Sequence, residues 1–277
     1  MSTRIVLDEN FARLWADRDP FEAAAELDGL EFRAVKSRRT FRFELEGRGY
    51  FMKYHRGVGW REIFKNLMQL KAPVLGADNE FNALSVLNRL GVPTMHAAAF
   101  GSRGWNPARR ESFLITDELC NMRSLEDVVR EWPEHPPAFS RKRAIIAALA
   151  ASAGTMHRSG INHRDCYICH YLLDDSGPLL RLHVIDLHRA QLRRRVPRRY
   201  LVKDLGGLCF SSFDAGITMR DRLRFIRDYT GRPLREELSG TGRKFWRDVW
   251  KNAVALYIKE FGRPPQAAAS SGRGKRC

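Results

Sequence analysis

Two short stretches hold the residues best suited to chemistry. Ile161-Asn162-His163-Arg164-Asp165-Cys166-Tyr167-Ile168-Cys169-His170 contains H-R-D-x-x-x-x-H, and Val184-Ile185-Asp186-Leu187-His188 places a second aspartate after an apolar run that reads as a buried strand. That pair of carboxylates suits phosphoryl transfer: one accepts or orients the proton of an attacking hydroxyl, and the other holds a divalent cation on the phosphates. Asp165 is therefore the candidate catalytic base. Asp186 is the candidate Mg²⁺ ligand, since that cation takes hard oxygen donors. His170 stands five residues after Asp165, where kinases carry a metal-binding asparagine. Because imidazole nitrogen is a poor Mg²⁺ donor, His170 is expected to touch phosphate, Asp165 or a metal-held water. His163 is expected to be a structural hydrogen-bond partner.

The same letters spell C-x-x-C-H at Cys166–His170, a haem-attachment pattern. The residues Arg4, Asp8, Glu9 and Arg13 interrupt what would be an apolar leader, and the five cysteines are scattered. Both features place the chain in a reducing cytoplasm, where covalent haem attachment is not completed. A zinc site at Cys166 and Cys169 lacks a second Cys or His pair nearby. The most apolar stretch, 144–153, is about half the length needed to cross a bilayer. With 48 Lys+Arg against 32 Asp+Glu, the net charge of +16 favours anionic partners.

The elements that must position the two aspartates follow from periodicity. Residues 2–27 read as a helical preamble. From Leu30 the period becomes two, giving three antiparallel strands that end near Lys53. Between the first two, Val35-Lys36-Ser37-Arg38-Arg39 occupies the place of a phosphate loop but lacks glycine, so Arg38 and Arg39 are candidates to meet nucleotide phosphates by charge, or else two solvated turn arginines. Lys53 is the candidate phosphate-gripping ammonium and needs a helical carboxylate beside it. Glu80, in the first turn of a helix starting at Asp78, is the expected partner, with Glu62 as rival. Residues 56–77 form an insertion whose Trp60, Ile63, Phe64, Leu67 and Leu70 share one helical face among basic residues, fit for packing on the small lobe, for an anionic membrane or for an acidic protein. Runs at 96–100 and 112–116 complete a sheet of about five strands, and Asp117 and Leu119 sit where backbone would bond adenine.

The rest reads as helical. A short helix follows Ser124, a long one runs from Ser140 to near Gly160, and a hairpin of 171–173 with 182–185 supports the loop carrying Asp165. Arg189, Arg193, Arg194 and Arg195 form the most basic segment and are candidates to hold an anionic acceptor. No helix-turn-helix, zinc-finger or aromatic RNA-binding signature accompanies them, so nucleic acid is not the expected partner. Asp204, at the start of a further helix, either caps that helix or braces the catalytic loop. Residues 263–277 are basic, of low complexity and expected to be disordered.

HRDCYICHYLL with VIDLHRAQ, followed by KDLGGLCFSS, resembles the lipopolysaccharide core heptose(I) kinase family across residues 1 to about 262. The resemblance implies an α+β, bilobal protein-kinase-like fold: a small lobe (1–119) of antiparallel sheet plus helix, and a larger, mainly helical lobe (120–262). It also implies ATP with Mg²⁺ and a heptose hydroxyl on the lipopolysaccharide core as acceptor, at the inner face of the inner membrane. Carried onto this chain, it makes Asp165 the catalytic aspartate, Asp186 the metal aspartate and Lys53 the nucleotide lysine. Two alternatives stand beside it: a kinase for the 3-deoxy-octulosonic acid unit, and a non-catalytic scaffold that binds an anionic membrane or acyl carrier protein.

Overall fold

The computed structural model describes residues 3–35, 38–68 and 74–266. Lys36 and Ser37 of the expected phosphate loop, Leu70 and Lys71 of the insertion, and 267–277 of the expected tail lie outside them. The chain divides into two compact units. The first takes in the described residues of Met1–Arg89, Met95–Cys120 and Leu187–Arg189; the second takes in Leu90–Thr94, Asn121–Asp186 and the described residues from Ala190 onward. The chain is α+β, with the sheet in the first unit and most of the helix in the second.

The first unit is a six-stranded antiparallel sheet of order β1-β5-β6-β4-β3-β2. Its strands are β1 (Thr3–Leu7), β2 (Leu30–Val35), β3 (Arg38–Leu45), β4 (Arg48–His55), β5 (Ala97–Arg103) and β6 (Glu111–Asp117). Its helices are α1 (Glu9–Leu14), α2 (Pro20–Glu26), α3 (Gly59–Met68) and α4 (Asp78–Arg89). Phe41, Phe43, Met52, Tyr54, Phe113 and Ile115 pack with Phe11, Trp15 and Phe21 of the N-terminal segment into one core. Side chains alternate across a strand, so Lys53, between Met52 and Tyr54, points to the opposite face. The expected helical preamble is corrected at its start, because Thr3–Leu7 pairs with β5 as an edge strand and makes the sheet six-stranded. Its β-branched Thr3, Ile5 and Val6 favour that state.

His55 ends β4 and is 4% exposed. Burial, with Arg38, Lys53 and His188 adding to it, depresses its imidazole pKa to about 3, from 6.5. Between those values the unfolded chain binds more protons, so the stability held by a neutral His55 is complete above about pH 6.5 and is lost as pH falls toward 3. The slope is at most about 1.4 kcal/mol per pH unit. Urea unfolding at pH 7.5 and pH 5 should show a smaller acid loss for His55→Phe than for the unaltered chain.

The second unit is mainly helical. It holds β7 (Arg123–Ser124), α5 (Leu125–Arg130), α6 (Phe139–Arg158), β8 (Ile161–Asn162), β9 (Tyr171–Asp174), β10 (Arg181–Val184), β11 (Gln191–Leu192), α7 (Arg198–Ser211), α8 (Met219–Thr230), α9 (Leu234–Glu237) and α10 (Gly240–Phe261). The β9–β10 hairpin forms as expected. Helix α7 begins at Arg198 and not near Lys203, which puts Asp204 in the helix interior and excludes the capping role.

Candidate active site

In the first unit, Lys53 lies on β4 between Thr40 of β3 and Leu114 of β6, so its backbone is held on both sides. Its Nζ donates to Glu80 Oε1 at 2.7 Å, and the Glu80 side chain is 2% exposed. The first turn of α4 is fixed by three further bonds. Arg110 Nη2 and Ser102 Oγ donate to Asp78 at 3.0 and 3.3 Å, and the Ala77 N–H donates to Ser112 Oγ at 3.0 Å. Phe81 stacks on Phe100 with centroids 4.1 Å apart. The expected pair is thus formed. Glu62, the rival, faces Lys65 and Asn66 on the exposed side of α3.

Lys53→Met is expected to lower kcat/KM for ATP about 10- to 100-fold, the worth of one hydrogen bond between charged groups. It should also destabilise the chain by about 3–5 kcal/mol, because Glu80 would be left buried and unpaired. The double variant Lys53→Met/Glu80→Gln should recover most of that stability without recovering ATP turnover, as chemical unfolding and steady-state kinetics would show.

The remaining candidates of this unit are more dispersed. Arg39 is held by Asp28 and by Glu31 Oε2, at 3.1 Å from the latter, and lies over the Phe41 ring; its charge is engaged by carboxylates of its own unit. Arg38 sits opposite His55 in the β3–β4 register. The Asp117 N–H donates to the His96 carbonyl at 3.1 Å, and Leu119 is half-buried. Between them lies a contact that sequence reasoning missed. Arg42 forms a two-pronged ion pair with Glu118 at 2.7 Å per prong, which holds the Glu118 carboxyl below its ordinary pKa. Gly49 makes room for it, since a Cβ there would meet Glu118 Oε2 at 1.9 Å.

In the second unit, the two aspartate segments are laced together. His163 Nε2–H donates to the Ile185 carbonyl at 3.0 Å, and the Ile185 N–H donates to the His170 carbonyl at 2.9 Å. His170 Nδ1–H donates to the Asp165 carbonyl at 2.7 Å, while its Nε2 lies 3.8 Å from Asp186 Oδ2. The Tyr167 N–H also donates to the Asp165 carbonyl, at 3.0 Å. The peptide that presents the Asp165 side chain is therefore pinned by two donors. The imidazole of His170 is raised to about 9, first by a Cys169 hydrogen bond and further by the Asp165 carbonyl and the Asp186 charge. His163 is fully buried, and burial pushes its pKa down, in keeping with a structural role. Arg164 and Asp186 both adopt the left-handed region, at φ of 74° and 59°. Such residues cost about 1–3 kcal/mol each and gather where the surroundings over-determine them.

Helix α7 supplies those surroundings. Asp204, 1% exposed, accepts the His163 N–H at 2.6 Å and the Arg164 N–H at 3.0 Å. Its Oδ2 also accepts His157 Nε2–H at 3.3 Å, and His157 Nδ1 accepts the Tyr229 hydroxyl at 2.8 Å. One turn on, a Cβ at Gly207 would meet the Cys166 carbonyl at 2.5 Å, and one turn further Ser211 Oγ accepts the Ile168 N–H at 3.1 Å. Positions 204, 207 and 211 share one helical face, so K-D-L-G-G-L-C-F-S is a seat for the loop. Only Asp204 of that seat was singled out from sequence; the spacing of Gly207 and Ser211 after it was the available signal. Cys166 is sealed beneath, near the Tyr171 hydroxyl at 3.5 Å, and burial pushes its thiol pKa well up, unlike a metal-binding thiolate.

The basic segment divides. Arg193 is a structural residue: it donates to Asn162 and Gln191 at 2.5 and 2.6 Å and covers the Tyr200 ring. Arg194 and Arg195 are exposed, and Arg189 ends a short 3-10 turn, Leu187–Arg189, which belongs to the first unit.

Among the described residues no group of three His, Cys, Asp or Glu side chains could cage a metal. One half-exposed carboxylate, Asp186, fits Mg²⁺, which is ordinarily held by one or two carboxylates with phosphate oxygens and water completing its shell.

The family model described as lipopolysaccharide kinase (Kdo/WaaP) matches residues 23–229. The chain belongs to this family. It is 53% identical over 262 residues to a Pseudomonas aeruginosa protein named lipopolysaccharide core heptose(I) kinase WaaP, covering 93% of this chain and 97% of that one. An Escherichia coli protein of the same name is 50% identical over 238 residues, with 84% and 90% covered. The solved structure of WaaP in complex with acyl carrier protein superimposes with a TM-score of 0.80 at 46% identity, covering 92% of this chain and 99% of that one. The Kdo/WaaP family is one of kinases, so this chain is a phosphotransferase and its phosphate donor a nucleoside triphosphate. The Lys53–Glu80 ion pair of this chain forms as the sequence led us to expect.

Proposed function

We propose that this chain transfers the γ-phosphoryl group of ATP to a heptose hydroxyl of the lipopolysaccharide inner core. The observation that carries the reading is the linkage Asp165–His170–Asp186, in which one histidine ties the two aspartate segments together, in a chain about half identical to heptose(I) kinases across nearly all its length. Asp165 orients the acceptor hydroxyl and takes its proton. Lys53, placed by Glu80, binds the α- and β-phosphates, and Asp186 holds Mg²⁺. His170 fixes the Asp165 peptide through Nδ1 and keeps its other nitrogen toward Asp186, an indirect role toward the metal. When bound, Mg·ATP supplies the electrophilic phosphorus and neutralises charge that spreads over the transferring group. Arg194, Arg195 and Arg189 are the cations we assign to the anionic sugar acceptor, Arg193 being committed to Asn162 and Gln191.

Acyl carrier protein is part of the same proposal. The second unit holds an apolar cavity of about 190 Å³ lined by Ile146, Leu149, Leu205, Leu208, Trp246 and Val249, which suits an acyl chain. Native mass spectrometry of the purified chain should detect an acylated carrier protein.

The test of the main reading is incubation of purified protein with ATP, Mg²⁺ and deacylated core oligosaccharide, followed by mass spectrometry of the sugar. A phosphomonoester on heptose is expected. Phosphate on the 3-deoxy-octulosonic acid unit would replace the acceptor. No transfer, with partner binding intact, would favour a scaffold.

A further inference from the structure

Helix α3 carries most of its apolar side chains outward. At about 100° per residue, Trp60, Ile63, Phe64, Leu67 and Met68 fall on one stripe, and Arg61, Glu62, Lys65 and Asn66 fill the other side. Ile63 alone is buried; Trp60, Phe64, Leu67 and Met68 are 49%, 58%, 51% and 86% exposed. The Trp60 and Phe64 rings lie 5.8 Å apart and make a continuous aromatic surface. The polar side leans positive. Its single acid, Glu62, is engaged by Asn66 at 2.9 Å and by Lys65 at 3.8 Å, while Arg61 is exposed.

We infer that α3 is an interfacial helix that docks this chain on an anionic lipid bilayer. Trp60, Phe64, Leu67 and Met68 enter the boundary between headgroups and acyl chains, and Arg61 and Lys65 meet lipid phosphates. An exposed strip of large apolar side chains needs no complementary groove in a bilayer, tryptophan is at home at that depth, and flanking cations match anionic headgroups. The net charge of +16 has the same sense. No described helix is long and apolar enough to cross a membrane. Choosing lipid over an acidic protein rests on the lipopolysaccharide acceptor proposed above, a sugar carried on lipid.

The test is co-sedimentation of the full chain with vesicles of phosphatidylglycerol and phosphatidylcholine, and with phosphatidylcholine alone. Binding is expected to the anionic vesicles and should weaken with salt. Trp60→Ser/Phe64→Ser should weaken it at least about tenfold, and Arg61→Gln/Lys65→Gln should weaken only the anionic component. Both variants should phosphorylate deacylated, water-soluble acceptor at the unaltered rate, yet lose rate on acceptor embedded in vesicles. Should the apolar variant fail to fold, the charge variant, altered on the solvent side, carries the test. Vesicle binding that is absent in the unaltered chain, or equal in both variants, overturns the inference. So does loss of carrier-protein binding in place of lipid binding. Vesicle binding through α3 by a chain that phosphorylates no sugar would leave this inference standing and remove the kinase reading.

Discussion

Asp165→Ala is expected to lower kcat by about 10²–10⁴, the share of a general base, with thermal unfolding close to that of the unaltered chain. The separation of the two effects follows from geometry. Three holds on the loop's backbone survive substitution of the side chain: the Asp165 carbonyl, bonded by His170 Nδ1–H and the Tyr167 N–H at 2.7 and 3.0 Å, and the His163 and Arg164 N–H groups, bonded to Asp204. Asp165→Asn should fall nearly as far, because an amide orients a hydroxyl but takes up no proton. KM for ATP should barely move, since the nucleotide role proposed above falls to Lys53. Comparable losses of stability and rate in Asp165→Ala would instead mark the residue as a fold element.

The opposite pattern is expected for Asp204→Ala. Its carboxylate accepts two main-chain N–H groups, from His163 and Arg164, and the second of these residues is held at a positive φ. Losing the acceptor takes the partner from three donors, the His163 and Arg164 N–H groups and His157 Nε2–H, at about 1–3 kcal/mol for each one left buried. Against a typical total of about 5–15 kcal/mol, that is enough to deplete the folded state near 37 °C. Asp204→Asn keeps the volume and one acceptor but sets an amide hydrogen against a main-chain N–H. Its stability loss should be smaller, and its kcat should still fall with KM unchanged, because the loop and not the substrate contact is displaced. Tyr229→Phe, which removes only the hydroxyl bonded to His157, should cost about 1 kcal/mol. Chemical unfolding and steady-state kinetics on the three variants give the ordering.

The Lys53–Glu80 contact was more legible in the sequence than the surfaces that support it. That pair could be placed because its strand and helix carry strong periods, and a period fixes which side chains share a face, whereas Asp165 and Asp186 were singled out by the H-R-D-x-x-x-x-H spelling and the apolar run before the second aspartate. Strand β1 has no such signal: four of its five residues are exposed, so no alternation marks it. The start of α7 was misplaced because Arg198 and Arg199 read as part of a charge run, when they form its first turn. The fates of Arg39 and Arg193 depend in part on Glu31 and Asn162, partners that strand pairing brings alongside them. Gly207 and Ser211 had the right spacing, yet the close approach that gives them meaning exists only once the loop lies against the helix.

The most direct measurement is the position of new phosphate on deacylated lipopolysaccharide core after reaction with the purified chain, ATP and Mg²⁺, resolved by phosphorus NMR and fragmentation mass spectrometry. The expected result is one phosphomonoester on heptose, formed by the unaltered chain and formed at least about 10²-fold more slowly by Asp165→Ala. Phosphate on another sugar, or the same heptose product formed equally by the Asp165→Ala chain, would contradict the assignment.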